Sequence, residues 1–286
     1  MTTVAHALDE AGRRLRAAGI EEAELIGTWV VSEVAGLPRL ELTLHADRAL
    51  SPDSSAQLRQ HLDRLIRHEP LQYVLGYTSF FGGKILTDPR ALIPRPETEI
   101  LVERVVEACS SFDRPIRIAD VGTGTGCISI ALALQIPFAE VVSLDVSTKA
   151  LELARENVRR HRLLDRITLL ESDLLEAVSP DVCFDMIVAN LPYVTESEIN
   201  ALPEKIARHE PRIALDGGPS GLDFFRRLGP QASTRLARHG RLFLEIGSDQ
   251  AKAVEGILRD SGYHEITVYP DLSGHDRIVA GQVTPP

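Results

Sequence analysis

Hydrophobic and polar positions divide the chain into two differently patterned parts. Over residues 1–75 apolar side chains recur at helical spacing: Val4, Leu8, Ala11 and Leu15 fall on one face, and Leu25, Ile26, Trp29 and Val30 on another. The stretch "SPDSSAQLRQHLDRLIRHEP" opens on Ser51 in an N-cap place and Pro52 at the first helical position. It then sets Leu58, Leu62, Leu65 and Ile66 at helical spacing until Pro70 stops it. These patterns predict a small all-α N-terminal domain. Residues 76–94, "GYTSFFGGKILTDPRALIP", mix aromatics with glycines and prolines and predict a hairpin or extended connector.

Residues 95–286 read as one domain with an alternating pattern. Pro96 starts a helix, "PETEILVERVVEAC". "IRIADVG" then predicts a strand, 126–135 a helix, "EVVSLDV" a strand, "TKALELARENVRRH" a helix, and "RITLLES" and "FDMIVAN" two more strands. After an irregular stretch come "GRLFLEIG", a helix over 249–260, "HEITVYP" and "DRIVAGQ". Alternation of this kind predicts an α/β fold, a doubly wound, mostly parallel seven-stranded sheet with helices on both faces. The last two strands follow each other without a helical pattern between them, so a hairpin with one antiparallel strand is expected.

Composition narrows the function without naming it. Of 286 residues, 44% are hydrophobic and 25% charged, as in ordinary globular proteins, and the formal net charge is −10. That sign argues against a protein that coats nucleic acid. No apolar run reaches the roughly 18 residues that span a bilayer, and the acidic residues of "MTTVAHALDEAGRRLRAAG" do not suit a targeting peptide. Cys109, Cys127 and Cys183 and the nine histidines show no metal-ligand spacing. A cytoplasmic protein with no metal and no membrane partner is expected.

Candidate chemistry lies at two strand ends. "ADVGTGTGCISIALAL" places Gly122, Gly124 and Gly126 between a strand and a helix, where glycines let a ligand approach backbone N–H groups. A dinucleotide fingerprint would need a glycine where Cys127 stands, and a P-loop would need GK[ST]. The tight GxGxG form suits S-adenosylmethionine; read alone, it is equally a turn without a ligand. Asp145, ending the second strand of this fold, can accept the hydroxyls of a ribose or cap the next helix. Asp173 can hold an adenine amino group or stand in water, and Asp120 reads as a hydrogen-bonding residue under the glycine turn. Cys127, at a helix start, reads as a buried small residue.

The second strand end is "DMIVANLPYV", in which an apolar run finishes on Asn190, Leu191, Pro192 and Tyr193. Adjacent to the first strand, it should overhang the glycine loop. The Asn190 side-chain oxygen and the Leu191 carbonyl, set by Pro192, could grip the two hydrogens of a planar –NH2 group. Tyr193 offers a flat face against it. Alone, "NLPY" is also a plain strand-terminating turn.

Taken together, "VGTGTG", "LDV" and the N-x-P-Y strand end resemble class I, Rossmann-like S-adenosylmethionine-dependent methyltransferases that act on –NH2 groups. More narrowly, "EPLQYVLGYTSFFG", "LIPRPETEILVE" and "HEPRIALDGGPSGLDFFRRL" resemble the PrmC/HemK family over nearly the whole chain. That resemblance implies transfer of a methyl group from S-adenosylmethionine, leaving S-adenosylhomocysteine, to N5 of the GGQ glutamine of class I peptide chain release factors. It implies that Gly122, Thr123, Gly124, Thr125 and Gly126 form the cofactor loop and that Asp145 binds the ribose. It also implies that Asp173, Leu174 and Asn190 stand beside the cofactor, and that Asn190, Leu191, Pro192 and Tyr193 hold the glutamine, with Asn190, Pro192 and Tyr193 catalytic. Leu191 departs from the family, which usually has proline there, and Leu174 fills a position that is often aromatic. The helical domain would recognise the partner, segment 195–225 would cover the active site, and a monomer without direct nucleic-acid contact is expected. The competing readings are a ribosomal-protein glutamine methyltransferase, which shares the active-site pattern, and an rRNA or DNA adenine N6-methyltransferase, which shares "NLPY". A binding module with a vestigial pocket is disfavoured, because loop, ribose acid and amide grip are all present.

Overall fold

A computed structural model describes residues 2–283 and separates them into two compact units, 2–77 with 203–209, and 78–202 with 210–283. The first unit is helical. Helix α1, Val4–Ala17, starts on Thr3, whose hydroxyl accepts from His6 N (3.3 Å), and α2, Ala23–Ala35, ends at Gly36 in the left-handed region. Helix α3, Pro52–Ile66, opens on Ser51, which accepts from Ser54 N at 3.0 Å. Such a cap contributes about 1 kcal/mol. A short α4, Leu71–Leu75, is tied to α3 by Arg64. Its Nε donates to Glu69 (2.8 Å), and Nη2 and Nη1 donate to the carbonyls of Tyr73 (2.9 Å) and Val74 (3.2 Å).

The buried face of α2 differs from the expected one. Ala23, Gly27, Val30, Val31 and Val34 are buried, whereas Leu25 is exposed and Trp29 lies half-buried under the Arg39 guanidinium, 3.6 Å from its ring centre. Gly27 supplies the reason: a Cβ there would stand 3.1 Å from that of Ala11. Close approach of α1 to α2 selects the small-residue stripe and turns the bulkier residues outward. Segment 203–209 also groups with the helical unit rather than with the remainder of 95–286. His209 of that segment helps hold the Glu69 carboxyl below its usual range, after the Arg64 hydrogen bond. A linear pattern cannot show such a return of the chain.

In the second unit β1, Tyr77–Phe80, pairs with β2, Gly83–Leu86; the division between the units falls just after the first residue of β1. Helix α5, Pro96–Cys109, leads into β3, Ile116–Val121, α6, Cys127–Gln135, β4, Ala139–Asp145, α7, Thr148–Arg160, β5, Ile167–Glu171, and β6, Phe184–Ala189. Short α8, Glu196–Ile199, and α9, Glu204–Ala207 (the latter in the helical unit), precede α10, Asp223–Ser233. Strand β7, Leu236–Glu245, α11, Ala251–Asp260, β8, Tyr263–Pro270, and β9, Asp276–Val283, follow.

The seven-stranded sheet has the order β5-β4-β3-β6-β7-β9-β8, with β9 antiparallel to both neighbours and the other pairs parallel, as the alternation predicted. Central β6 is buried at all six positions, as a strand covered on both faces must be. One face packs on α5, α6 and α7 through Leu101, Val105, Ile130 and Val158. The other packs on α10 and α11 through Phe225, Leu228, Val254 and Leu258. Strand β7 begins four residues before the predicted "GRLFLEIG". Leu236 pairs with Phe184, and an irregularity with His239 in the left-handed region (φ 63°) precedes the regular ladder. The polar "ARHG" hid that extension. Parallel pairing brings the carboxyl ends of β3, β4, β6 and β7 to one edge, and the sheet turns from β4 to β6 on either side of β3, a switch point.

Candidate active site

The loop after β3 is a chain of left-handed turns. Gly122, Gly124 and Gly126 have φ of 77°, 54° and 81°. L residues, which carry a Cβ, avoid this region at a cost of about 1–2 kcal/mol, and glycine does not. Gly122 N and Thr123 N donate to Leu144 O (2.8 and 2.9 Å), which pins the loop to the end of β4. Beneath it, buried Asp120 accepts from Thr123 Oγ1 (2.7 Å), Ser129 Oγ (2.6 Å) and Ser129 N (3.2 Å). Burial pushes its carboxyl up to about 6. Asp145 accepts from Gly124 N (2.9 Å) through one oxygen and from Ser147 N (2.8 Å) through the other. Burial raises its pKa against those bonds. Each oxygen keeps a second lone pair for a ligand hydroxyl. Burial pushes the Cys127 thiol up to about 12, which makes it inert.

The glycine loop and Asp145 border a cleft that opens to solvent. Gly122, Thr123, Gly124, Thr125, Asp145, Asp173, Leu174, Asn190, Leu191 and Pro192 all face it, whereas Gly126 and Tyr193 are not among its lining residues. A Cβ added at Gly124 would meet only Ala91, at 3.9 Å, so the cleft is open over that backbone. Asp173 is bound to Arg227 (2.6 Å), a half-exposed ion pair at the rim. Leu174 is buried with φ 53°, a strained conformation for leucine that turns its side chain into both the core and the cleft wall.

Asn190 follows the last residue of β6 and overhangs the glycine bend: a Cβ at Gly122 would stand 3.0 Å from Leu191 Cδ2 and 3.5 Å from Asn190 O. Asn190 Nδ2 donates to Thr98 Oγ1 (3.1 Å), and Thr98 Oγ1 donates to Glu245 Oε2 (2.7 Å). Thr98 sits in the first turn of α5 and Glu245 ends β7; both are buried. Burial pushes Glu245 up to about 7, opposed by the Thr98 hydrogen bond and by the charge of Arg277. Among the described residues no protein group donates to Asn190 Oδ1 or to the Leu191 carbonyl. Unpaired carbonyls in a concave site are uncommon.

Tyr193 lies beside this corner with its ring against the core of the α10 face. Burial and the charge of Glu245 push its phenol up to about 12, against the charge of Arg277. Its carbonyl accepts from Gln250 Nε2 at 3.0 Å. The glycine-rich segment straps the same backbone. Val194 N donates to Leu215 O (3.0 Å) and Gly217 N to Val194 O (2.9 Å). A Cβ at Gly217 would fall 2.7 Å from Tyr193 Cα. Pro211, Ile213, Ala214 and Phe224 then form one wall of the cleft. Glu210, whose side chain is 1% exposed, fixes that wall to the "PRPE" segment by accepting from Arg95 Nη2 (2.5 Å) and Ile93 N (3.3 Å).

Thr98, Glu245, Arg277 and Glu210 escaped the sequence reading. Glu245 alone carried a visible signal, a carboxylate at the end of the apolar run "LFLE".

The sheet order and the cleft at its switch point define a class I methyltransferase. Residues 6–76 match the PrmC N-terminal domain and residues 96–219 the methyltransferase small domain. The chain is 38% identical to the release factor glutamine methyltransferase of Geobacter sulfurreducens over 281 residues, 98% of this chain and 97% of that protein. It is 41% identical to that of Moorella thermoacetica over 283 residues, 96% of each. A solved structure, the ribosomal protein L11 methylase of Lactobacillus delbrueckii subsp. bulgaricus, shares the fold. Its TM-score is 0.52 and its identity 22%, over 73% of this chain and 91% of that one. The chain belongs to the release factor glutamine methyltransferase family. Among the described residues no helix is long and apolar enough to cross a membrane.

Proposed function

We propose that this protein methylates N5 of the GGQ glutamine of class I peptide chain release factors, with S-adenosylmethionine as methyl donor, as a monomer in the cytoplasm. The carrying observation is the Asn190–Leu191 corner: two oxygens without protein donors, over a bend that only glycine tolerates. Gly122–Gly126, Asp145, Asp173 and Leu174 would hold the cofactor. The open backbone over Gly124, the carboxylate of Asp145 and the apolar wall at Leu174 fit a nucleoside with an aliphatic tail. When bound, it supplies an electrophilic sulfonium methyl and leaves as S-adenosylhomocysteine.

A carboxamide nitrogen is a weak nucleophile because its lone pair is delocalised. Asn190 Oδ1 and Leu191 O would each accept one of its hydrogens, which favours rehybridisation and fixes the direction of the lone pair. Pro192, without an N–H, removes a competing donor at that corner. The alkylated nitrogen is strongly acidic and gives up its proton without a histidine. Tyr193 would act from beside the corner, where Gln250 Nε2 holds its carbonyl (3.0 Å). The helical unit would select the partner, since one side chain cannot distinguish one protein.

Incubation with methyl-labelled cofactor and a release factor, a GGA variant and total rRNA in parallel, followed by mass-spectrometric location of the methyl, tests this reading. Label on the glutamine alone is expected; label retained by the GGA variant, or carried by rRNA, overturns it.

A further inference from the structure

The Asn190 side chain has nearly the same shape in two orientations related by a half-turn, and only its neighbours decide which is adopted. Here the decision begins two residues away. An ionised carboxylate only accepts, so the single hydroxyl hydrogen of Thr98 goes to Glu245 (2.7 Å). Thr98 Oγ1 then has only lone pairs to offer, and Asn190 must turn Nδ2 toward it (3.1 Å). Oδ1 is left as the side-chain atom without a protein donor, on a residue that lines the cleft. In the opposite orientation Oδ1 would face the lone pairs of Thr98 and the charge of Glu245, and the cleft would meet an NH2 donor.

We propose that Thr98 and Glu245 are positioning residues that set the hydrogen-bond polarity of Asn190, and through it the preference of the cleft for a carboxamide over a carboxylate. A glutamine offers two N–H donors to an outward Oδ1; a glutamate offers only acceptors and is repelled by it. The three residues come from α5, β6 and β7, and the relay is buried at its Glu245 and Thr98 ends, so water does not scramble its direction. The inference rests on the reading of the cleft as a glutamine site.

The test uses the full chain at pH 8, above the Glu245 ionisation at about 7. Glu245→Gln keeps the shape but removes the acceptor-only carboxylate: its NH2 can donate to Thr98 and free the hydroxyl to donate to Asn190, so the direction of the amide is no longer fixed. Three quantities are measured: kcat on a release factor, affinity for S-adenosylhomocysteine, and inhibition by the same release factor carrying glutamate in place of the GGQ glutamine. Expected is a fall in kcat on the order of 100-fold, the scale of a misplaced substrate, with cofactor-product affinity little changed. The glutamate form should become the better competitor relative to glutamine. Thr98→Val should repeat the loss and Thr98→Ser restore activity. Unchanged kcat in both Glu245→Gln and Thr98→Val overturns the relay, as does a loss of product affinity in step with kcat at constant glutamine-to-glutamate preference. A wild-type protein that transfers no methyl to the release factor overturns the glutamine-site reading, and the relay with it.

Discussion

The two ends of the cleft are built in opposite ways. The end proposed for the cofactor is made by backbone: three left-handed glycines, amides pinned to Leu144, and Asp145 braced by the N–H groups of Gly124 and Ser147. The end proposed for the glutamine is made by side chains drawn from distant segments: Asn190, Thr98 and Glu245, with Tyr193 and Arg277 behind them. Backbone cradles are local and tolerate exchange of their neighbours. A buried relay has a direction, and one reversed bond changes what it presents. Methyl transfer needs both, a cradle that takes any ligand of the right shape and a grip that distinguishes N–H from C=O.

Asn190→Ala should separate the two ends most sharply. Loss of a preorganised acceptor is expected to lower kcat by roughly 10²–10³-fold, while isothermal titration finds binding of S-adenosylhomocysteine little changed. Equal losses of both would merge the ends into one site. Asp145→Ala should act in the opposite sense. Hydrogen bonds to a charged group contribute about 1.5–3 kcal/mol, so product affinity should fall roughly ten- to a hundredfold, with kcat at saturating cofactor much less affected.

Gly122→Ala touches both ends. Its φ of 77° and the 3.0 Å approach to Leu191 strain any Cβ there. A loss of about 1–2 kcal/mol is expected, a fall in Tm of several degrees in a calorimetric scan. An unchanged Tm would mean that the bend relaxes freely.

The most gradual effect is electrostatic. Burial holds Glu245 up to about 7 in the folded protein, so the folded state binds more protons than the unfolded one between the ordinary carboxylate range and that value. Its contribution to stability is complete below that range and is lost as pH rises through about 7. Urea titrations of wild type and Glu245→Gln across pH 5–8 should differ in slope by at most about 1 kcal/mol per pH unit, with wild type losing more toward high pH. Parallel curves would place the Glu245 charge outside the cost of folding.

Periodicity and punctuation carried most of the architecture. The alternation after Pro96, the Ser51-Pro52 cap and the unbroken apolar run of β6 each have a local cause, so each was readable along the chain. The glycine bend was readable for the same reason, because positive φ is a property of single residues. Three features had no local cause. Leu25 and Trp29 turned outward because Gly27 lets α1 come close. Segment 203–209 returned to the helical unit. Gly217 and Gly221 proved to be close-approach glycines only when their neighbours, the backbone of Tyr193, came into view.

The sequence by itself determined that this chain winds a mostly parallel sheet, bends over a glycine loop and ends a central strand on an amide, since these follow from the conformational range and hydrophobic period of neighbouring residues. Tertiary structure alone decided which way that amide faces. Its direction depends on a hydroxyl 92 residues away and on a carboxylate 147 residues from that hydroxyl, and hydrogen-bond polarity passes through space, not along the chain.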